Sequence, residues 1–350
     1  MPNRNVVRCT LSLFCALMLG VAGMLCVAAA HAQDKTVQLK LSSWVPPAHP
    51  LNPALLAWAA DIEKASGGTI KSTLFPSEQL GKAFDHYDMA RDGIADFAYV
   101  NPGYQPGRFP IIAAGELPFL VANAKGGSAA LDAWYRKYAP IEMKDVHFCF
   151  AFMLDPGTFH SRTKKIVLPE DIHGMKVRPA DATMGAFVTL LGGTNVQASA
   201  PEAREVLERG VADAITFPWH SMILFGIDKV TKYHMEAALY TTGFVWVMNK
   251  DTYAAMSPSQ RNVIDNHCNR EWAEKIASPW ADFEHDGIAK LKAEPGQEVY
   301  PISDAQLDLW KAAAVPVVKT WSDAVKKTGN DPDAILKDFR ADLTKYNSGY

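Results

Sequence analysis

Cysteine is scarce in this chain, and most of it sits at one end. Five of the 350 residues are cysteine, and Cys9, Cys15 and Cys26 lie within the first 32, which leaves Cys149 and Cys268 for the remainder. A disulfide and two separate thiols are both open from sequence, because the geometry of the pair decides. Beyond residue 32 no segment is long and apolar enough to cross a bilayer. The formal net charge is -3, and there is no basic stripe of the kind a nucleic-acid backbone demands, so no nucleic-acid partner is expected. No phosphate-cradling loop and no dinucleotide fingerprint occur. His147, His160 and His173 lack tight metal-ligand spacing, and no dense carboxylate cluster names a metal, so neither metal nor cofactor is expected. Ser161 beside His160 and Ser221 beside His220 place hydroxyl and imidazole together. Neighbours on a strand point to opposite faces, however, and neither serine sits in a nucleophile-elbow pattern, so a hydrolase is the weakest functional reading.

What is present begins with an export signal. Arg4 and Arg8 form a positive n-region, Leu11 to Ala30 is an apolar run, and Ala30-His31-Ala32 is a small-x-small cleavage site, so Gln33 is expected to begin the mature chain in the periplasm. Arg4 and Arg8 are the only Lys, Arg, Asp or Glu residues in this stretch, so losing them takes the formal charge from -3 to -5. About 318 residues remain, enough for a large core and, on length, two domains.

Local signals alternate between strand and helix. Val37, Leu39 and Leu41 read as a strand ending at Trp44. Asn52-Pro53 reads as an N-cap and first turn before Leu55, Leu56, Ala59 and Ile62, with Gly67-Gly68 as the stop. Ile70, Ser72 and Leu74 form a second strand, and Phe84, Tyr87, Met89 and Ala90 fall on a helix ending at Gly93. This order predicts an α/β fold. Arg91-Asp92-Gly93-Ile94-Ala95-Asp96-Phe97 is echoed by Glu208-Arg209-Gly210-Val211-Ala212-Asp213-Ala214. Each runs from a helix end through glycine into a short apolar strand, and Ser199 with Glu202 forms a capping box ahead of the second helix. The two copies lead to strand tips carrying Tyr99, Asn101 and Tyr104 in one case and Phe217, Trp219 and His220 in the other. Ligands in open α/β sheets bind beyond such carboxyl ends, so the tips are expected to face one cleft.

The run Pro169-Glu170-Asp171-Ile172-His173-Gly174-Met175-Lys176-Val177-Arg178-Pro179 puts a guanidinium at the end of a predicted strand. Its planar fork suits a carboxylate better than Lys does, and it stays charged in a dry cleft, so Arg178 is the candidate anchor. With this run, the export signal, Phe75-Pro76-Ser77-Glu78-Gln79-Leu80-Gly81, the turn Asp92 to Asp96, and Glu116-Leu117-Pro118-Phe119 resemble the DctP-type periplasmic solute receptors of tripartite ATP-independent periplasmic (TRAP) transporters. The resemblance spans essentially the whole mature chain.

It implies a two-lobed, periplasmic-binding-protein-like α/β fold (type II-like) with hinge strands and a long helix spanning both lobes. Residues 33–155 plus 245–290 are expected in lobe I, and 156–244 plus 291–350, with the C-terminal helices, in lobe II. The resemblance further implies a receptor that closes on a small-molecule carboxylate and docks on the small and large subunits of a sodium-driven membrane permease; a monomer is expected over a dimer. A periplasmic sensor as partner is the alternative. Arg178 matches the family's carboxylate-holding arginine. Other positions depart from the sialic-acid-type pattern: Trp44 and Phe217 stand where Asn is usual. Phe159 and His160 replace a second arginine, with Arg162 either a displaced substitute or a surface charge. Trp44, Phe217 and Trp219, with Phe159, Tyr99 and Tyr104, could then box a flat ring beside Arg178, with Asn101 and His160 near it. An aromatic monocarboxylate is the expected ligand. An aliphatic hydroxy or keto acid, held in some members through a metal, stays open.

Overall fold

The computed structural model describes residues 34–350, so the expected leader and its cleavage point lie outside the described residues. Eleven strands pair among the described residues: β1 Val37–Ser42, β2 Ile70–Phe75, β3 Phe97–Val100, β4 His147–Met153, β5 Thr158–Ser161, β6 Lys176–Arg178, β7 Thr194–Asn195, β8 Ala214–Phe217, β9 Tyr233–Glu236, β10 Gly243–Met248 and β11 Glu298–Pro301. They form two sheets, β2-β1-β3-β10-β4 and β11-β9-β5-β8-β6-β7. In the first, β1 runs parallel to β2 and β3 while β10 is antiparallel to β3 and β4. The inner strands Phe97–Val100, Ala214–Phe217 and Gly243–Met248 are buried at every position. They read as unbroken apolar runs rather than alternating ones, because helices cover both faces.

Helices α1 Leu51–Ala65, α2 His86–Arg91 and α3 Ala124–Tyr135 flank the first sheet, and α4 Ala182–Leu190, α5 Ala203–Glu208 and α6 Trp219–Leu224 the second. They are followed by α7 Arg270–His285, α8 Gly287–Ala293, α9 Asp304–Lys326 and α10 Pro332–Lys345. Helix α1 starts ahead of the expected Asn52 cap. Pro50 takes the cap position, and the Asn52 amide instead donates to the Pro46 carbonyl at 2.8 Å.

The repeated turn is a repeated hydrogen-bond device. Asp96 accepts from the Lys40 amide at 2.7 Å, and its own amide donates to the Lys40 carbonyl at 2.9 Å. Asp213 does the same with Lys176, at 2.9 and 2.7 Å. In each lobe the lysine ammonium then reaches back to carbonyls of the turn, Ile94 in one and Gly210 in the other. Gly93 and Gly210 make this possible by adopting φ of 74° and 70°, a region glycine enters without Cβ strain. The aspartate thereby locks each β3-like strand into register beside its parallel neighbour, and both strand tips project toward the other lobe.

The chain changes lobes between β4 and β5 and returns between β9 and β10. These crossings are tied to each other: the Gly157 amide donates to the Tyr240 carbonyl at 2.9 Å, Leu239 to Gly157 at 3.0 Å and Leu154 to Thr242 at 3.2 Å. The return therefore falls a few residues before Phe244. Helix α7 packs on α1, α3 and β4 of the first lobe and on α6 of the second, and α8 continues along α6 and β11. Helix α9 covers the second lobe, with Trp310 against Phe159 and Phe187 at ring distances of 5.4 and 6.1 Å. Helix α10 corrects the expectation that residues 291–350 stay in lobe II. It lies on α3, with Phe339 4.6 Å from the Trp134 ring and the Trp134 indole donating to Ile335 at 3.2 Å. Its apolar face, Ile335, Phe339 and Leu343, is buried there rather than on the second sheet.

Cys149 on β4 and Cys268, just before α7, are joined in a disulfide at a sequence separation of 119. The bond pins the start of the long helix to the first lobe. Replacing both cysteines with alanine is expected to cost about 2–4 kcal/mol, read as a lowered denaturant midpoint, while leaving ligand selectivity unchanged. A loss of selectivity would mean the bond shapes the cleft as well.

Candidate ligand site

Arg178 ends β6 and is only 1% exposed. Its Nε donates to the Ala198 carbonyl at 2.9 Å and its Nη2 to the Tyr104 hydroxyl at 3.2 Å. Among the described residues it makes no ion pair, although twenty salt bridges form elsewhere. A buried charge held in no direct ion pair is costly, and the nearest carboxyls acting on it, Asp181 and Glu202, do so without a hydrogen bond to the guanidinium. The Tyr104 hydroxyl accepts both from Arg178 and from the Ala200 amide at 2.8 Å, which leaves its own hydrogen to donate. Tyr104 comes from the first lobe and Arg178 and Ala200 from the second, so these bonds also hold the lobes together.

A small interlobe cavity opens beside the guanidinium. From Arg178 its wall runs to Phe217, whose ring centroid is 5.8 Å from the guanidinium carbon, then to Phe225 at 5.5 Å and His49 at 6.4 Å. From His49 it returns through Trp280 at 4.7 Å, Phe244 at 5.3 Å, Trp44 at 6.4 Å and Tyr104 at 6.0 Å. The cavity holds about 30 Å³, room for about two waters and well below the roughly 150 Å³ that admits benzene in an engineered core. A ring can enter only if the walls move apart. A larger open groove of about 500 Å³, lined by Asn123, Asp155, Trp219 and His285, has Lys125 as its cation, and that lysine is exposed and paired with Asp282 at 2.6 Å. It offers no buried cation.

Two buried carboxyls brace the closed lobes. Asp181, at the start of α4, accepts from the Met184 amide and the Thr242 hydroxyl at 2.8 and 2.9 Å, and Glu116 of the first lobe accepts from Thr183 at 2.8 Å. Burial raises Asp181 to about 6, and burial with the nearby Asp181 charge holds Glu116 well above the usual carboxylate range.

The structure brings together Arg178, Trp44, Phe217, Asn101 and Tyr104 around the cavity. It does not bring the others. Tyr99 is buried behind the wall, its ring stacked on Trp44 at 4.7 Å, so it positions the indole without facing a ligand. Phe159 points to the opposite face of the second sheet, against Trp310. His160 is sealed inside the lobe, bonded to the Phe217 carbonyl at 3.1 Å and to His234 at 2.8 Å. Trp219 lies edge-on to His160 at 5.2 Å and lines the outer groove. Arg162 donates to the Ala212 carbonyl at 3.3 Å near the Gly210 turn, so it is no second anchor. Ser221 donates to Glu284, and the His220 ring stacks flat on Phe283 at 3.7 Å, so serine and imidazole are not poised as a pair. His49, Phe225, Phe244 and Trp280 complete the wall and were not singled out from sequence. His49 had the clearest signal, a lone polar side chain in the proline-rich loop after the Trp44 strand tip.

Residues 41–324 match the family described as bacterial extracellular solute-binding protein, family 7 (DctP). A curated relative from Albidiferax ferrireducens, called a solute-binding protein, is 26% identical over 284 residues, covering 77% of this chain and 78% of the relative. Among solved structures, a TRAP solute-binding protein of Rhodoferax ferrireducens with copurified benzoate superimposes with a TM-score of 0.84 at 29% identity, covering 89% of this chain and 99% of the other. A marine-metagenome protein described as specific for aromatic acid ligands, bound to 3-hydroxybenzoate, gives 0.83 at 31% identity, again over 89% and 99%. A Bordetella bronchiseptica protein with bound (R)- and (S)-mandelate gives 0.82 at 29%, over 88% and 99%.

Proposed function

This chain belongs to family 7 of the bacterial extracellular solute-binding proteins, and from that premise we propose that it captures a small aromatic monocarboxylate between its lobes and presents it to a TRAP permease. TRAP solute-binding proteins are periplasmic, bind small carboxylates and work with membrane permease subunits. The observation that supports the ligand reading is Arg178, a buried guanidinium in no direct ion pair among the described residues that faces a cavity walled by Trp44, Phe217, Phe225, Phe244 and Trp280. The apolar, aromatic wall favours a flat ring over a polyhydroxylated acid, whose hydroxyls would find few partners. The benzoate, hydroxybenzoate and mandelate complexes of similar proteins support the same class.

Binding and closure are one event in this reading. The ligand enters while the lobes are parted about residues 154–157 and 237–242, and its carboxylate then takes the place the guanidinium offers. Closure remakes the Tyr104 to Arg178 and Tyr104 to Ala200 bonds, and the closed shape is what the permease reads. One chain supplies every wall, so a monomer suffices, with no metal or cofactor and no catalytic step. Export with removal of the first 32 residues belongs to the same proposal.

The test is a thermal-shift titration of refolded, ligand-stripped protein. Benzoate, mandelate or a hydroxybenzoate at about 100 times its dissociation constant is expected to add roughly 2.7 kcal/mol of stability. Stabilisation by aliphatic hydroxy or keto acids alone would keep the carboxylate anchor and discard the aromatic ligand.

A further inference from the structure

His49 stands across the cavity wall from Arg178, with Phe217 and Phe225 between them along one side and Tyr104, Trp44, Phe244 and Trp280 along the other. Its protonation is fixed by its neighbours. The Leu51 amide donates to Nδ1 at 3.1 Å, so that nitrogen carries a lone pair and the ring hydrogen of the neutral form sits on Nε2. The ring is 1% exposed, no carboxylate pairs with it among the described residues, and burial lowers its pKa to about 3, so it stays neutral throughout the physiological range. Its Nε2–H is buried without a partner in the protein. Of the other polar side chains in the wall, Ser221 donates to Glu284, Thr242 to Asp181, and Asn101 accepts from the Gly103 amide, while the Trp44 indole N–H, nearer Tyr104 and Arg178 along the wall, is the other buried donor without a partner.

Resting on the aromatic-acid reading of the site, we infer that His49 Nε2–H is a specificity-determining donor that recognises a neutral oxygen on the ligand's ring, distant from the carboxylate. The favoured ligand is an aromatic acid bearing a ring hydroxyl or comparable acceptor rather than an unsubstituted one. A buried donor left without an acceptor penalises a ligand that cannot satisfy it, and this penalty is the source of selectivity. Since the histidine is neutral, the recognition is insensitive to pH across the range in which the Arg178 anchor works, and a second carboxylate on the ligand gains no ion pair there.

The experiment is calorimetric titration of the full, ligand-stripped protein with benzoate and with its meta- and para-hydroxy derivatives. At least one hydroxybenzoate is expected to bind about tenfold or more tightly than benzoate. His49→Asn places an amide oxygen where Nδ1 accepts the Leu51 amide but has nothing at the Nε2 position, and it is expected to erase that ratio. His49→Gln places an amide near the Nε2 position and is expected to retain part of it. Binding of benzoate with no preference for either hydroxybenzoate in the unaltered protein overturns the inference and leaves the site reading standing, as does a ratio unchanged in folded His49→Asn. Failure of all three acids to bind overturns both.

Discussion

Arg178→Ala is expected to abolish measurable carboxylate binding while the protein stays folded. Removing one partner of a desolvated charge pair costs about 2–5 kcal/mol, or roughly a 30- to several-thousand-fold loss of affinity. The fold should survive because in the unliganded state Arg178 offers its own lobe one bond, to Ala198, and the other lobe one, to Tyr104. Removing a buried guanidinium that makes no direct ion pair also relieves a desolvation burden. The variant's melting temperature without ligand should therefore lie close to that of the unaltered protein, while the ligand-induced shift disappears. Arg178→Lys should recover only part of the affinity, since an ammonium keeps the charge and loses the fork that also reaches Ala198 and Tyr104. Unchanged affinity in Arg178→Ala would remove the anchor and with it the carboxylate reading.

The place of Arg178 at a strand end was legible in the sequence because the run that carries it, Pro169 to Pro179, is short and continuous. Gly174 and the Lys176–Asp213 bonds fix a short strand, and Arg178 is the last residue of it. The duplicated turns were legible for the same reason, since a glycine at positive φ and an aspartate at fixed spacing leave a pattern. The two-lobed fold and its spanning helix came from family resemblance, and the α/β alternation came from periodicity. The half of the cavity wall made by His49, Phe225, Phe244 and Trp280 was not legible, because its members come from segments far apart in the chain. Whether they meet depends on how the lobes dock. His49 follows β1, Phe225 follows α6, Phe244 begins β10 and Trp280 sits on α7.

Side-chain parity was the other blind spot. Thr158 pairs with Phe217 across the β5–β8 ladder, which turns Phe159 to the outer face and His160 to the inner one. That register is set by the partner strand, and nothing within the run from Gly157 to Ser161 announces it. Trp219 illustrates a related point. It is two residues from Phe217, which for a continuing strand would mean the same face, but Pro218 caps a helix that begins at Trp219. The change of element turns the indole away from the cavity and toward the outer groove.

Glu284→Ala is expected to be the most damaging single substitution outside the ligand anchor, because one carboxylate joins the spanning helix to the second lobe. Its Oε2 accepts the amides of His220 at 2.6 Å and Ser221 at 3.2 Å, and its Oε1 accepts the Ser221 hydroxyl and the Trp280 indole, the latter at 2.8 Å. Burial pushes its pKa up, and the four donors oppose that shift by favouring the ionised form. Deleting the carboxylate orphans four buried donors, two of them at the first turn of α6, and should cost about 3–5 kcal/mol of stability. Trp280 loses the bond that fixes its indole in the cavity wall, so ligand affinity should fall as well. Glu284→Gln separates charge from geometry. Its amide keeps the volume but has only one accepting oxygen for two pairs of donors, so the opposing pair meets an NH2 group. It should therefore resemble alanine more closely than an isosteric change normally would. Urea unfolding followed by titration of the folded fraction reads both effects. A glutamine variant with native stability and affinity would show that the donors do not need two accepting oxygens, and that packing with the His220 to Phe283 hydrogen bond suffices to hold the spanning helix to the second lobe.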